Sequence, residues 1–200
     1  MWTVFIVLGV LLLPILLVGG YAISRYNTLV QLENRYENAY SQIDVQLKRR
    51  YDLIPNLVET VKGYLDHERE TLEAVTQARN QAFQANQKAA AHPGDPEAMG
   101  QLNAAESMLT SSLGRLMVVA EDYPELKANE SVGQLMEELR STENKISFAR
   151  QAFNDAVTRY NTARESFPTN LLASAFNYNE AELFEIDVAE ERQAPDVSFS

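Results

Sequence analysis

The sequence contains no cysteine. This absence excludes disulfide bonds, catalysis by a thiolate, lipid modification of a cysteine, and zinc sites built on cysteine. It does not select a compartment, because a chain without cysteine is compatible with oxidising and reducing surroundings alike.

Histidine is nearly absent as well, since the chain has only His67 and His92. A zinc-protease HExxH motif would need a second histidine four residues after His67, and Thr71 stands there. The Glu-x-x-His motif of helical di-metal sites would need glutamate three residues before a histidine, and Tyr64 and Ala89 stand there instead. We therefore expect no metal ion, no other cofactor and no catalytic residues.

Glycine is sparse, and the eight glycines are too scattered to form a phosphate-binding loop. Gly114 and Gly133 fall inside predicted helices, where glycine more often marks a packing contact than a ligand site. We therefore expect both glycines to be packing contacts.

An excess of basic charge is also missing, because the net charge is −11. Residues 169–200 contain seven acidic residues and one basic residue. We interpret this segment as an acidic C-terminal tail that packs in part through its aromatic side chains. Because so acidic a surface repels a phosphate backbone, we expect no binding to nucleic acid.

The sequence does contain one long apolar run, which extends from Trp2 to Ile23 without a charged residue. At about 1.5 Å per residue, a helix of this length spans the roughly 30 Å apolar core of a bilayer. Residues 1–25 are therefore predicted to form a single transmembrane anchor. A cleaved signal peptide is the alternative, because Gly20-Tyr21-Ala22 is similar to a cleavage site.

The position of the basic residues predicts the orientation of this anchor. Arg25 and Arg35 follow the apolar run, Lys48–Arg50 lie further on, and no basic side chain precedes it. By the positive-inside rule, the N-terminus is expected outside and the following domain in the cytoplasm.

Two long segments repeat apolar residues at alternating intervals of three and four, which is typical of a coiled-coil or bundle seam. One runs from Tyr36 to Tyr64 and resumes from Thr71 to Ala82, and the other runs from Val132 to Phe167. No segment shows the alternation of a strand. We predict an all-α fold in which residues 26–168 form an antiparallel bundle of three long helices, or four if Pro55 splits the first instead of bending it.

A compact group of charges lies on the first predicted helix. Lys48, Arg49, Arg50 and Asp52 are close together, and Arg50 occupies a seam position, where a buried charge needs a partner. An ion pair with Asp44, with Asp52 or with an acidic residue of another helix is the favoured interpretation. Docking of an acidic partner or of a lipid head group is the alternative.

Two sequence blocks resemble the LemA family of bacterial membrane proteins. The first covers residues 26–79 and includes QIDVQLKRRYDLIPNLVETVKGY, and the second covers residues 143–185. This resemblance implies an N-terminal transmembrane helix joined to an antiparallel helical bundle in the bacterial inner membrane. It provides no catalytic residues.

The leading functional hypothesis is a membrane-anchored scaffold or interaction module of the cell envelope without catalytic activity. Its expected partners are the lipid bilayer, further copies of the same chain, and other membrane or envelope proteins. A seam that is buried within one monomer is the alternative to self-association. A component of a sensing or signalling pathway is the alternative function, and an enzyme would require clustered polar residues inside the bundle.

Overall fold

The computed structural model describes residues 2–65 and 67–185, apart from the side chains of residues 4–11 and 127. No strand occurs in these ranges, so the prediction of an all-α fold is confirmed. The helices are α1 (Trp2–Lys62), α2 (Arg69–Ala91), α3 (Pro96–Glu121), α4 (Pro124–Lys127), α5 (Glu130–Glu165) and α6 (Thr169–Ala175).

Helix α1 is the central element of the bundle. It packs along α5 and also contacts α2 and α6, while α2 packs along α3. The short connections between consecutive long helices make neighbours antiparallel. Helices α3 and α5 are not among the pairs in close contact, and this gap between them determines where a site can form.

The predicted seams form the core of a single chain. On α1 and α5, seam residues such as Ile43, Leu47, Ile146 and Phe153 are buried. The last expected seam position is wrong, because Phe167 follows the end of α5 and is 81% exposed. The heptad pattern is therefore explained almost entirely by packing within one chain.

The first predicted helix ends at Lys62. Pro55 lies inside the continuous α1, so of the two alternatives left open by the sequence, a split at Pro55 is excluded. The chain leaves the helix at Gly63 and turns, and Leu65 is buried in the core. Glycine costs about 1 kcal/mol in a helix relative to alanine, which together with the burial of Leu65 accounts for the break. Four long helices result.

Side chains cap the two helices that flank the gap. The Asp95 carboxylate accepts a hydrogen bond from the backbone N–H of Ala98 at 2.9 Å, and Pro96 begins α3. The Asn129 side chain accepts one from Val132 at 3.2 Å at the start of α5. Asn129 is the residue immediately before Glu130, where α5 begins.

The predicted anchor forms the first part of α1. In the part of the chain that the structure describes, no helix has an apolar stretch long enough to cross a membrane. The side chains of residues 4–11, in the middle of the predicted anchor, lie outside the described residues. At the other end of the chain, residues 186–200 of the predicted acidic tail also lie outside them.

Candidate functional site

A groove of about 670 Å³ opens between α3 and α5. Leu113 and Met117 of α3 form one wall, and Met136 and Leu139 of α5 form the other. Arg50 of the central helix α1 also lines the groove. A mostly apolar concave surface with a few polar groups is typical of a ligand or peptide site.

Gly114 and Gly133 lie in this groove and not at packing contacts. A Cβ added at Gly114 or at Gly133 would meet no atom within 4 Å, yet both residues line the groove. The expectation of packing contacts is therefore wrong, because α3 and α5 diverge here. The absence of two side chains widens the groove.

The fully buried Arg50 carries the principal charge beneath the groove. Its guanidinium forms ion pairs with Glu106 of α3, which is equally buried, and with Glu143 of α5, which is half-exposed. Arg50 thus joins α1 to both walls. Breaking such a buried pair by removing one partner typically costs about 3–5 kcal/mol.

Glu106 has a second partner besides Arg50. The hydroxyl of Tyr51 donates a hydrogen bond to the Glu106 carboxylate and lies 3.2 Å from the carbonyl oxygen of Ala82. Burial raises the pKa of Tyr51 well above its ordinary value, and neighbouring Arg50 offsets part of that rise. Tyr51 therefore stays protonated as a hydrogen-bond donor at neutral pH.

The remaining members of the predicted charge group do not converge on the groove. Lys48 pairs with Asp44 one turn earlier at 2.6 Å, and Arg49 pairs with Glu138 at 3.5 Å. Asp52 has no ion-pair partner among the described residues. Ion pairing, the favoured interpretation, therefore holds for the three basic residues, and only Arg50 contributes to the site.

The half of the α3–α5 gap that lies beyond the groove is filled by the chain itself. Residues 178–185 run between the two helices without regular secondary structure, and Phe184 is fully buried. Three asparagines each form two hydrogen bonds with the backbone of this segment, as a neighbouring strand would. Asn161 pairs with Ala181 at 2.8 and 3.0 Å, Asn154 with Phe184 at 3.1 and 2.9 Å, and Asn103 with Leu183 and Glu185 at 3.2 Å each.

Gly94 closes the outer end of this filled half. Its φ angle is +82°, which disfavours any side chain, and its carbonyl oxygen accepts a hydrogen bond from Glu182 at 2.8 Å. An added Cβ would lie 3.0 Å from the Ala181 side chain and 3.1 Å from the ring of Tyr36. Glycine is therefore required here, in contrast to the two glycines of the groove.

Sequence reasoning missed the partners of Arg50 and the three asparagines. Glu106 continues the spacing of Leu102 and Leu109, so an acidic residue on an apolar stripe was a usable signal for a buried pair with Arg50. The asparagines gave no such signal, because their partners are backbone groups of a segment far away in the sequence.

The two histidines lie apart and exposed, His67 between α1 and α2 and His92 after α2. In residues 2–65 and 67–185, no three potential metal-ligating side chains come together. Two tyrosines of α1 pack in the bundle: Tyr36 lies against Tyr160 at 5.1 Å between ring centres, and Tyr40 against Phe153 at 5.6 Å.

A family model described as the LemA family matches residues 39–199. The chain belongs to the LemA family. The resemblance found in the two sequence blocks is thereby confirmed. Among curated relatives, Protein LemA of Metamycoplasma hominis is 28% identical over 178 residues, which cover 85% of this chain and 77% of that protein.

Other relatives of this LemA-family chain are magnetosome proteins. Magnetosome protein MamQ 1 and MamQ 2 of Paramagnetospirillum magneticum are each 25% identical over 176 residues, which cover 80% of this chain. The matched region spans 65% of their length. The names of these relatives state no enzymatic activity.

Proposed function

We propose that this protein is a membrane-anchored helical interaction module without catalytic activity, in which α1 carries the bundle and the α3–α5 groove is the binding surface. The observation that carries the anchoring is the exposure of apolar side chains on every face of α1 over residues 12–18. They include Leu13, Leu16 and Leu17, which are 63–73% exposed. A helix that is apolar all round belongs in a protein core or a membrane.

The mechanical argument for a module rests on the continuity of α1. The same uninterrupted helix contains the apolar run and the seam residues that pack against α5. At about 1.5 Å per residue, its 61 residues extend about 90 Å. Such a helix would hold the groove at a fixed distance and angle from the membrane.

The argument against catalysis rests on the nature of the polar cluster. Arg50 and Glu106 are fully buried and neutralise each other, and the hydroxyl of Tyr51 donates a hydrogen bond to Glu106. A general acid or base must reach a substrate. This cluster is built to join three helices beneath an apolar groove.

Membrane flotation of the full chain tests the anchor. In the variant Leu13→Arg with Leu17→Arg, each charge costs roughly 2.5–3.5 kcal/mol near the centre of a membrane helix, so the protein should leave the membrane fraction. The matched control is Val45→Arg with Val118→Arg, two exposed apolar positions of the bundle that are 58% and 67% exposed. The anchor is refuted if the natural chain stays soluble or if both variants behave alike.

The orientation is tested separately. We propose the inner membrane of a bacterium, with the N-terminus outside and the bundle in the cytoplasm. Because the chain has no cysteine, Thr158→Cys, at an exposed position of α5, gives one labelling site. Protection from an impermeant maleimide until the inner membrane is lysed supports this orientation, whereas labelling in spheroplasts contradicts it.

Self-association belongs to the same proposal, through the N-terminal helices packed side by side in the bilayer. The heptad seams give it no support, because they are buried within one chain. Mass photometry of the detergent-solubilised protein provides the test. Particles larger than a monomer that depend on the apolar run support self-association, and a uniform monomer contradicts it.

A further inference from the structure

We propose that residues 167–176, which we call the α6 turn, dock on the membrane surface and give the bundle a second attachment to the bilayer. The α6 turn contains α6 and the residues on either side of it. This inference deepens the proposed function and rests on it, because it requires α1 to cross the bilayer. It adds a lipid contact that lies outside the anchor.

The α6 turn is the point at which the chain reverses at the anchor end of the bundle. Tyr160 of α5 lies beside Tyr36 of α1, with 5.1 Å between the ring centres. Phe176, which follows α6, lies beside Tyr26 at 5.0 Å, and Tyr26 is about 15 Å nearer the N-terminus of α1 than Tyr36. The chain then returns, because the Tyr160 hydroxyl donates a hydrogen bond to the carbonyl of Asn179 at 2.8 Å.

The position of Tyr26 on α1 places the α6 turn at the level of the lipid head groups. The apolar run extends from Trp2 to Ile23, so its middle lies between residues 12 and 13. With α1 upright in the bilayer, Tyr26 is about 20 Å from that middle. Half a bilayer measures about 15 Å of hydrocarbon, or about 20–22 Å with the head groups. The ring of Phe176, in contact with Tyr26, therefore lies in the interfacial layer.

The α6 turn exposes apolar side chains on the side away from the bundle. Thr169 and Ala173 are buried on the side of α6 that contacts α1 and α5. Leu171 follows Thr169 by two positions, about 200° round a helix, and is 62% exposed. Phe167 and Phe176, on either side of α6, are 81% and 58% exposed. A cluster of exposed apolar side chains marks a contact with protein or membrane.

The charge pattern favours lipid as the occupant. No charged side chain occurs from Ser166 to Asn179, although the whole chain carries 17 basic and 28 acidic residues. Glu165 and Glu180 border this uncharged stretch. Charged side chains cost free energy in a bilayer, whereas aromatic side chains favour its interface. The bilayer surface is therefore the occupant that we expect, and not a second copy or another protein.

A second attachment restricts the orientation of the bundle. A transmembrane helix tilts by about 20° on average from the bilayer normal. Because α1 continues from the apolar run into the bundle without a break, any tilt of the anchor moves the whole bundle. Docking of the α6 turn on one side of α1 fixes the direction of this tilt. The α3–α5 groove then keeps one orientation relative to the membrane surface.

Fluorescence quenching of the full chain in phosphatidylcholine vesicles tests the contact. Because the chain has no cysteine, Phe167→Cys gives one site for a fluorophore. We expect strong quenching by a nitroxide attached near the lipid head group, and several-fold weaker quenching by aqueous iodide than at a control site. Quenching by iodide alone overturns the proposal. Shielding from both quenchers indicates a protein occupant, such as a second copy, and also overturns it.

The matched control is Phe148→Cys, which replaces an apolar side chain of α5 that is 75% exposed. The residues of α5 on either side of it contact Tyr40 and Arg50 of α1. Phe148 is therefore about 20–35 Å further from the anchor than Tyr26, and it should be quenched by iodide and not by the lipid nitroxide. If lipid quenches both sites alike, the bundle lies on the membrane without a preferred surface, and the proposal is overturned.

A site within the anchor separates this proposal from the proposed function. Ile15→Cys, at a position that is 65% exposed in the apolar run, should be quenched by a nitroxide placed deeper in the acyl chains. No quenching there refutes the anchor, and the docking of the α6 turn with it. Quenching at residue 15 together with quenching by iodide alone at residue 167 refutes the docking and leaves the anchor standing.

A second measurement does not depend on a label at residue 167. With the fluorophore at Ser174→Cys, an exposed position of α6, the added changes Phe167→Asp and Leu171→Asp should lower the quenching by lipid several-fold. Both positions are exposed, so the charges act on the lipid contact and not on the core. The control changes Phe148→Asp and Val118→Asp should leave the quenching unchanged. Quenching that stays the same with the first pair overturns the proposal.

Discussion

The two halves of the gap between α3 and α5 differ in how they are completed. In the filled half, Asn103, Asn154 and Asn161 bind the backbone of residues 181–185, and Phe184 is buried there. In the open half, the walls are apolar and two glycines leave space above Arg50. One pair of diverging helices thus provides a closed structural joint at one end and a binding surface at the other.

This contrast shows how a helical bundle can provide a groove without losing its core. The buried ion pairs of Arg50 with Glu106 and Glu143 hold three helices together beneath the open half. In the filled half, hydrogen bonds to backbone and an aromatic side chain do the same. Each half has its own means of stabilisation. Substitutions should therefore distinguish the contribution of the open half to stability from that of the filled half.

The largest effect is expected under the open half. Glu106→Ala leaves the buried Arg50 without its buried partner and should lower the free energy of unfolding by about 3–5 kcal/mol. The double variant Arg50→Met with Glu106→Leu removes both charges and should recover most of that loss. Chemical denaturation followed by circular dichroism gives both values. A double variant less stable than Glu106→Ala would refute the assignment of the loss to an unpaired charge.

In the filled half, Asn154→Ala removes two hydrogen bonds to the backbone of Phe184. Backbone groups left without partners cost about 1–3 kcal/mol, so the loss should be near 2 kcal/mol. Proteolysis should then cleave the chain near residue 184 more readily. Asn144→Ala, on the same helix but in the open half, is the matched control and should change neither property.

The difference between the halves also explains what the sequence could predict. Heptad spacing predicted the helices and most of the core, because each seam residue repeats a local pattern. It predicted that Arg50 needs a partner, without identifying Glu106. It could not predict the asparagine contacts or the roles of Gly114 and Gly133. These depend on where α3 and α5 diverge, which is a property of the assembled bundle.

Alkaline pH should act on the filled half through Tyr160, whose hydroxyl donates a hydrogen bond to the carbonyl of Asn179 at 2.8 Å. Burial, reinforced by the charge of Glu33, raises the pKa of Tyr160 to about 12. An unfolded tyrosine has a pKa near 10, so the stabilisation is complete below about pH 10 and is lost as the pH rises through about 12.

The loss expected from Tyr160 is at most about 1.4 kcal/mol per pH unit in that window. Tyr160→Phe removes both the hydrogen bond and the titration. The stability difference between the natural chain and this variant should therefore shrink from pH 9 to pH 11. A difference that stays constant with pH would contradict the assignment.

The smallest effect has opposite signs in the two halves. Gly133→Ala adds a Cβ that meets nothing within 4 Å and improves helix propensity, so it should raise the free energy of unfolding by about 0.5–1 kcal/mol. Gly94→Ala places a Cβ at a positive φ, 3.0 Å from Ala181, and should lower it by about 1–2 kcal/mol. Thermal unfolding of the two variants measures both signs. If Gly133→Ala stabilises the fold as expected, then glycine at this position keeps the groove wide at the expense of stability.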